Sequence, residues 1–300
     1  MTVACRAARH DDIVGIAEVY RAAYNALSRQ HGFPEVPAGP PNPFWAFSMS
    51  EEPEGCWVAE DGTTIVGFAI SWVRADFWFL ACLFIAPSFQ GKRVGRILVE
   101  RALAHGGHAA ANRALITFAY NPVSIALYVR YAMYPQEPLY LLEGPAEALR
   151  DREPAAEGLE YERLLPNARN AGILGRLDRA VLGHDRTRHH TFLLSATGST
   201  CYLFELAGAP RCYAYIWPTG RVGPFAALSP GSFEGVMRTA LALASAPPTA
   251  QVSVLLAGSN APALAWAVRR GMRITLPFLL MATMPFGQLE AYGFYSPALM

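Results

Sequence analysis

Between residues 84 and 103 the chain reads FIAPSFQGKRVGRILVERAL: an apolar run, then Gln90-Gly91-Lys92-Arg93-Val94-Gly95-Arg96, then apolar residues at helical spacing. The N–H groups of a helix's first turn have no partner inside the helix, and the helix dipole adds partial positive charge there. Glycine lets an anion come close to the main chain, and Lys92, Arg93 and Arg96 add full charges. A diphosphate is the ligand such a turn suits. The Lys-Ser/Thr pair of a nucleotide P-loop is missing. Taken without its surroundings, the stretch also reads as a solvated basic helix start.

The elements around this turn must position it. Ile13, Ile16, Ala17, Tyr20, Tyr24 and Leu27 recur on one helical face after Asp11 and Asp12. A proline-rich loop follows, with an irregular region expected over 32–55. Two β-rich runs flank Asp61-Gly62, a hairpin signal, and FWFLACLFIAP continues as a strand apolar enough to be buried on both faces. Beyond the basic turn come a helix from Val94 to His105, a strand ALITFAY, a helix PVSIALYVRYAM and a strand EPLYLLEG. This is an α/β pattern, a mixed and mainly antiparallel sheet flanked by helices.

The same order returns later. NPVSIALYVRYAM (121–133) aligns without a gap on NAPALAWAVRRGM (260–272), matching Asn121 with Asn260 and Met133 with Met272. Flanking strands agree, and PSFQGKRVGRILVERALA resembles GSFEGVMRTALALA. The chain is read as two copies of one fold, a first domain over 1–143, a connector over 144–170 in which EGLEYERLLP could pair as an edge strand, and a second domain over 171–300.

A strand, a basic glycine turn, a helix, a second strand and a helix opening NPVSIALY resemble the GNAT acyltransferase family, whose hallmark is a Q/RxxGxG/A loop that grips the pyrophosphate of acetyl-coenzyme A. Gln90 and Gly95 match it, and Arg93 stands where the inner glycine usually lies. The resemblance covers 1–143, and the second copy extends it to a tandem GNAT protein. It implies that Gln90, Gly91, Lys92, Arg93, Val94, Gly95 and Arg96 serve the pyrophosphate. Main-chain groups of Phe84 and Ile85 would pair with the pantetheine arm, which Asn121 would also contact. Tyr128 falls where the family commonly has a tyrosine facing the thioester sulfur. A phenol with a reference pKa of about 10 keeps its proton at neutral pH and can give it to a departing thiolate. Tyr128 also reads as a packing residue beside Ile125 and Ala132.

A base is less evident. Glu60, Asp76 and His31 could each act, the first two through water, although each reads better as a surface residue. Cys82 raises an acyl-cysteine route, against the commoner buried structural thiol. In the second copy Glu234 and the loss of two cations remove the phosphate site, and Trp266 lies near the position answering Tyr128. That half is expected to bind no cofactor. The aromatic tail FGQLEAYGFYSPALM is expected to be packed or frayed, and GHDRTRHH to be a solvated cationic loop.

A net charge of +1 with both signs dispersed gives no footprint for nucleic acid or an anionic membrane surface. No apolar run is long enough to span a bilayer. Five scattered cysteines and the lack of a secretory pattern at the start fit a reducing cytoplasm, and the histidines lack metal-ligand spacing. The expectation is a cytoplasmic acyl-CoA-dependent N-acyltransferase, using acetyl-CoA and no metal, with a small-molecule or peptide amine as acceptor. The alternative is a non-catalytic acyl-CoA sensor or scaffold. Oligomeric state is left open, a homodimer included.

Overall fold

The computed structural model of the chain describes residues 3–150 and 158–300. They form two compact units, one running to Tyr134 and including Met281–Met284, the other made of Pro135–Leu280 and Pro285–Met300.

Unit 1 opens with β1 (Ala4–Ala7), a short strand absent from the sequence expectation. In α1 (Ile13–His31) the buried residues Ile16, Val19 and Ala23 set the inner face, and Gly32 ends the helix at φ +72°, its N–H bonded to the Ser28 carbonyl. The expected irregular loop over 32–55 contains a helix. Asn42 caps it, accepting the Phe44 N–H at 3.0 Å, and Pro43 takes the first position of α2 (Pro43–Glu51). β2 (Cys56–Asp61) and β3 (Thr64–Arg74) join through Gly62, whose φ of +63° suits glycine. β4 (Phe77–Ile85) runs antiparallel to β3. α3 (Val94–Gly106), β5 (Asn112–Phe118) and α4 (Pro122–Val129) complete the unit, with β5 parallel to β4.

The strands lie in the order β1-β2-β3-β4-β5. A Cβ on Gly67 would meet Leu98 of α3, whereas the adjacent Phe68 meets Trp45 of α2. Successive strand residues point to opposite faces, so α3 covers one face and α2 the other. Residues 281–284 return to this unit, where Thr283 and Arg113 exchange two hydrogen bonds.

Unit 2 contains β6 (Tyr134–Pro145), β7 (Leu159–Leu164), α5 (Ala168–Leu182), α6 (Thr187–Ser195), β8 (Thr200–Leu206), β9 (Ala209–Ile216) and β10 (Arg221–Ala227). It continues through α7 (Pro230–Ala244), β11 (Gln251–Ala257), α8 (Ala261–Arg269), β12 (Arg273–Ala282) and β13 (Tyr292–Phe294). β6 pairs with β11 from Pro145↔Gln251 to Leu139↔Ala257, so the division at 143 drawn from the sequence falls inside this strand. Residues 151–157, in the middle of the expected connector, lie outside the described residues, and its end forms β7 at the edge beside β8.

The expected solvated loop GHDRTRHH is instead the approach to α6 and its first turn. Arg186, His189 and His190 are buried, and Arg186 and His190 partner Asp178 of α5. Its carboxylate accepts from the Arg186 guanidinium at 2.8 Å, from His190 Nε2 at 2.8 Å and from the Tyr213 hydroxyl at 2.5 Å. Burial pushes the Asp178 pKa up, yet the opposing attraction of His190 and Arg186 and the hydrogen bonds bring it down to about 2. His190 Nδ1 meets the Tyr215 hydroxyl at 3.0 Å, and Arg186 reaches the Tyr292 hydroxyl of β13 at 2.5 Å. β13 itself lies between β10 and β11, paired with both. A Cβ on Gly293 would fall 1.8 Å from the Phe225 ring.

Two stability measurements check this arrangement. Asp178→Asn leaves the buried Arg186 without its counter-charge and is expected to cost about 3–5 kcal/mol at pH 7 in urea unfolding. The folded pKa lies below the ordinary carboxylate value, so the contribution of the native carboxylate is present above about pH 4 and lost as pH falls through about 2. The gap between variant and native protein should narrow over that range. Gly293→Ala should destabilise by about 1–3 kcal/mol through overpacking, and an unchanged thermal midpoint would refute the seating of β13.

Candidate functional site

β4 and β5 are paired only at Phe77↔Asn112 to Leu80↔Leu115, although β4 runs on to Ile85 and β5 to Phe118. Beyond the fourth pair the two strands part. A register shift against β3 leaves Ala81 as an extra residue at the place where the divergence begins, and such bulges bend a strand. The Ala86 N–H donates to the Val66 carbonyl at 2.9 Å. Antiparallel pairs alternate between bonded and non-bonded, which turns the main chain of Phe84 toward Phe68 and that of Leu83 and Ile85 toward the opened edge. Of the two residues named from the sequence, Ile85 faces the opened edge and Phe84 faces β3; Leu83, which the sequence reading did not name, also faces the opening, a difference set by the hydrogen-bond phase of the strand.

The opened strand ends at the basic turn. Gln90 folds back, its Nε2 donating to the Ile85 carbonyl at 3.1 Å. Gly91 has φ +75°, and Arg93, capping α3, has φ +66°. This left-handed backbone costs a residue with a Cβ about 1–2 kcal/mol, the physical reason glycine would suit position 93. The first bond of α3 runs from the Ile97 N–H to the Arg93 carbonyl at 3.2 Å. The N–H groups of Val94, Gly95 and Arg96 thus have no acceptor within the helix. A Cβ on Gly95 would make only ordinary contacts, 3.6 Å to Ile85 and 3.7 Å to Leu127 of α4. Lys92 sits 4.6 Å over the Phe89 ring, and Arg96 pairs with Glu100 at 2.9 Å on the exposed surface.

α4 begins with a cap that its repeat shares. Asn121 Oδ1 accepts the Ser124 N–H at 3.2 Å, and Asn260 accepts the Ala263 N–H at 3.1 Å at the head of α8. The Asn121 side chain is thus tied to the helix start, its Nδ2 donating to Ser124 Oγ at 2.8 Å. One turn on, Tyr128 is 5% exposed. Burial first, then the neighbouring Cys82 thiol, pushes its pKa above the ordinary phenol value, against the pull of a hydrogen bond with Ser124. It therefore holds its proton at neutral pH. Burial pushes the Cys82 thiol up to about 12, opposed by a hydrogen bond with Trp45, so it supplies no thiolate at neutral pH for an acyl-cysteine route.

Of the acidic candidates, Glu60 lies on β2 at the Ile85 end of the sheet, its carboxylate paired with Arg6 at 2.9 Å. Asp76 meets Asn112 at 3.2 Å at the start of β4, nine residues and roughly 30 Å along the strand from Ile85. His31 ends α1, its ring 5.2 Å from Tyr120. A buried group that the sequence did not announce, Glu52 with Arg74 and His105, also sits at the early end of β4. Burial keeps the His105 pKa below its ordinary value despite Glu52.

In unit 2 the corresponding parallel pair, β10 and β11, is joined only at Arg221↔Ser253 and Val222↔Val254. The opening that follows is filled by β13, with Phe225↔Gly293 on one side and Leu256↔Gly293 on the other. The aromatic tail is packed here: Arg221 donates to the Tyr295 carbonyl at 2.6 Å, and Trp217 stacks on Tyr295 at 4.3 Å. A cavity of about 620 Å³ elsewhere in unit 2, bordered by Trp217, Pro247 and Gln251, has no ionisable side chain in its lining.

Residues 11–133 match the model of the acetyltransferase (GNAT) family. No curated protein matches the sequence. Solved structures match over nearly the whole chain. One is a protein of Pyrococcus horikoshii solved as a candidate acetyltransferase, at a TM-score of 0.74 and 18% identity over 99% of this chain and 96% of that one. A GCN5-related N-acetyltransferase from Sphaerobacter thermophilus gives 0.64 and 14% over 96% and 98%. A tandem GNAT protein from the clavulanic acid biosynthesis pathway gives 0.62 and 17% over 95% and 99%. At these identities the likeness speaks for the fold, and the family match speaks for the segment that holds the opened strand and the basic turn. The whole chain has the fold of a tandem GNAT protein, and its residues 11–133 are a domain of the acetyltransferase (GNAT) family.

Proposed function

We propose that unit 1 transfers an acetyl group from acetyl-CoA to a primary amine by direct attack, and that unit 2 binds no second acetyl-CoA. The observation that carries this reading is the divergence of β4 from β5 into a left-handed turn at a helix start, with the protonated Tyr128 beside it. The residues present suit the donor. Leu83 and Ile85 offer main-chain groups to an extended amide-bearing arm, as an added strand would use them. Val94, Gly95 and Arg96 offer N–H groups, and Lys92 and Arg93 offer charge, to its pyrophosphate. Bound acetyl-CoA supplies the thioester carbonyl as electrophile. Tyr128 gives its proton to the sulfur as the carbon–sulfur bond breaks, and regains one from the attacking nitrogen through solvent.

A sensor that binds acyl-CoA without turnover is the second reading, motivated by the arginine at position 93 and by acidic candidates that are already partnered, Glu60 by Arg6 and Asp76 by Asn112. Release of free thiol in the presence of amines separates the two. Gly95→Asp has room for its Cβ and adds a carboxylate at the helix start, where it would repel the diphosphate. Its acetyl-CoA affinity by calorimetry is expected to fall at least about tenfold, roughly 1.4 kcal/mol. Unchanged affinity would remove the basic turn from the site. Tyr128→Phe should lower turnover by about a hundredfold or more with affinity nearly intact, and full activity in this variant would exclude the tyrosine as the acid.

A further inference from the structure

Asn121, Ser124 and Tyr128 lie along one side of α4, the cap residue followed by side chains three and seven positions on. Helical side chains lean toward the N-terminus, so the Tyr128 ring lies back over the turn that carries Ser124. The Asn121 amide has one orientation here. Its Oδ1 accepts the Ser124 N–H at 3.2 Å, and its Nδ2 donates to Ser124 Oγ at 2.8 Å. Ser124 Oγ thereby accepts one hydrogen bond and still has its own proton to give. The Tyr128 oxygen takes it: the hydrogen bond between the two hydroxyls lowers the Tyr128 pKa, as a donor to the phenol oxygen does. Burial and the Cys82 thiol act in the opposite direction. Donors thus run one way, from amide to hydroxyl to phenol, and the phenol's own proton is left for a group outside the helix.

The repeat shows what the helix itself needs. In the gapless alignment of 121–133 on 260–272, Asn121 answers Asn260, Ser124 answers Ala263 and Tyr128 answers Ala267. Asn260 keeps the cap, accepting the Ala263 N–H at 3.1 Å, and α8 forms without either hydroxyl. With no serine to meet, Asn260 Nδ2 donates to the Glu290 main-chain carbonyl. Alanine is also the better helix former. Neither the cap nor the helix therefore calls for a hydroxyl at 124, and in the unit read as binding no acetyl-CoA the serine and the tyrosine are missing together.

We propose that Ser124 is a positioning residue for acetyl transfer: it holds the Tyr128 hydroxyl with its proton directed to the thioester sulfur and stabilises the phenolate left when that proton departs. This rests on the acetyltransfer reading above. The amine lone pair forms the bond to the acetyl carbon, and the carbon–sulfur bond breaks with its electron pair going to sulfur. Sulfur takes the Tyr128 proton, and the proton lost by nitrogen returns to the phenolate through water. The Ser124 proton stays on Ser124 throughout. A hydrogen bond to a charged acceptor is stronger than one to a neutral acceptor, so this contact tightens as the phenolate forms. An interaction stronger in the transition state than in the bound substrate raises turnover and leaves affinity alone.

The test uses the full chain. Ser124→Ala keeps the Asn121 cap, which uses the main-chain N–H of position 124, and its acetyl-CoA affinity by calorimetry should equal that of the native protein. Thiol release at saturating acetyl-CoA with benzylamine, ethanolamine or glycinamide should fall about tenfold, a rise in barrier of about 1.4 kcal/mol. Ser124→Thr retains a hydroxyl and should recover most of the rate. In a Tyr128→Phe background, Ser124→Ala should cause no further loss, because a residue that acts through the phenol then has nothing to act on. A second readout needs no acceptor: in protein made with isotope-labelled tyrosine, the NMR resonance of the oxygen-bearing ring carbon of Tyr128, identified by its loss in Tyr128→Phe, should shift in Ser124→Ala and return in Ser124→Thr. A native rate in Ser124→Ala, an equal loss in the Tyr128→Phe background, or an unmoved resonance overturns the inference and leaves the acetyltransfer reading standing. Native protein that fails to bind acetyl-CoA, or binds it and releases thiol with none of these amines, brings down the acetyltransfer reading and this inference with it.

Discussion

Two parallel strands that part after a few pairs leave N–H and C=O groups whose partners must come from somewhere else. In unit 1 this happens beyond Leu80 and Leu115, and in unit 2 beyond Val222 and Val254. The two units answer the same constraint differently. Unit 2 completes its ladder with its own residues, Tyr292–Phe294, which bond to both strands. Unit 1 leaves Leu83 and Ile85 facing the opening, one of them met by the Gln90 side chain. An extended ligand with amide groups is the natural complement of that edge, and the helix start just beyond it is the complement of an anion.

Filling the opening in unit 2 required polar groups to be buried with it. Arg186 reaches the Tyr292 hydroxyl and the Leu299 carbonyl, and Arg221 reaches the Tyr295 carbonyl, so two guanidinium groups hold the segment on either side of β13. Asp178 balances the charge of Arg186, and Tyr213 and His190 saturate its oxygens. Such a network adds little net stability over an apolar core, but it accepts only one geometry, since any displaced member leaves a buried charge unpaired. It selects the position of β13.

What could be read from the chain is what depends on local spacing. The face of α1, the hairpin at Gly62, the buried strand β4, the basic turn and the repeat with its shared asparagine caps all follow from residues close in sequence. What could not be read depends on distant partners. Asp178, Arg186 and His190 form no helical or strand period with Tyr213 and Tyr292, so the basic run looked like solvent-facing loop. The three residues of β13 are too few to announce a strand, and β6 carries nothing local to say that its neighbour is β11. The facing of Leu83 rather than Phe84 toward the opening is subtler: alternation was legible, but its hydrogen-bond phase is fixed only by the pairing of Ala86 with Val66.

Arg93 shows how the two kinds of constraint meet at one residue. Its left-handed backbone, at φ +66°, would be easier for glycine by about 1–2 kcal/mol, and the position is exposed, so packing does not compensate. An exposed ion pair is worth about 0–1 kcal/mol, and a hydrogen bond from a charged donor about 1.5–3 kcal/mol. Only an anion held by such a hydrogen bond would offset the conformational cost. In the proposed site, arginine at this position therefore makes the turn less favourable when empty and more favourable when filled, the direction in which a substrate-binding loop is improved. Arg96, held by Glu100, is less able to contribute in the same way, which leaves the strained residue as the more effective of these two arginines.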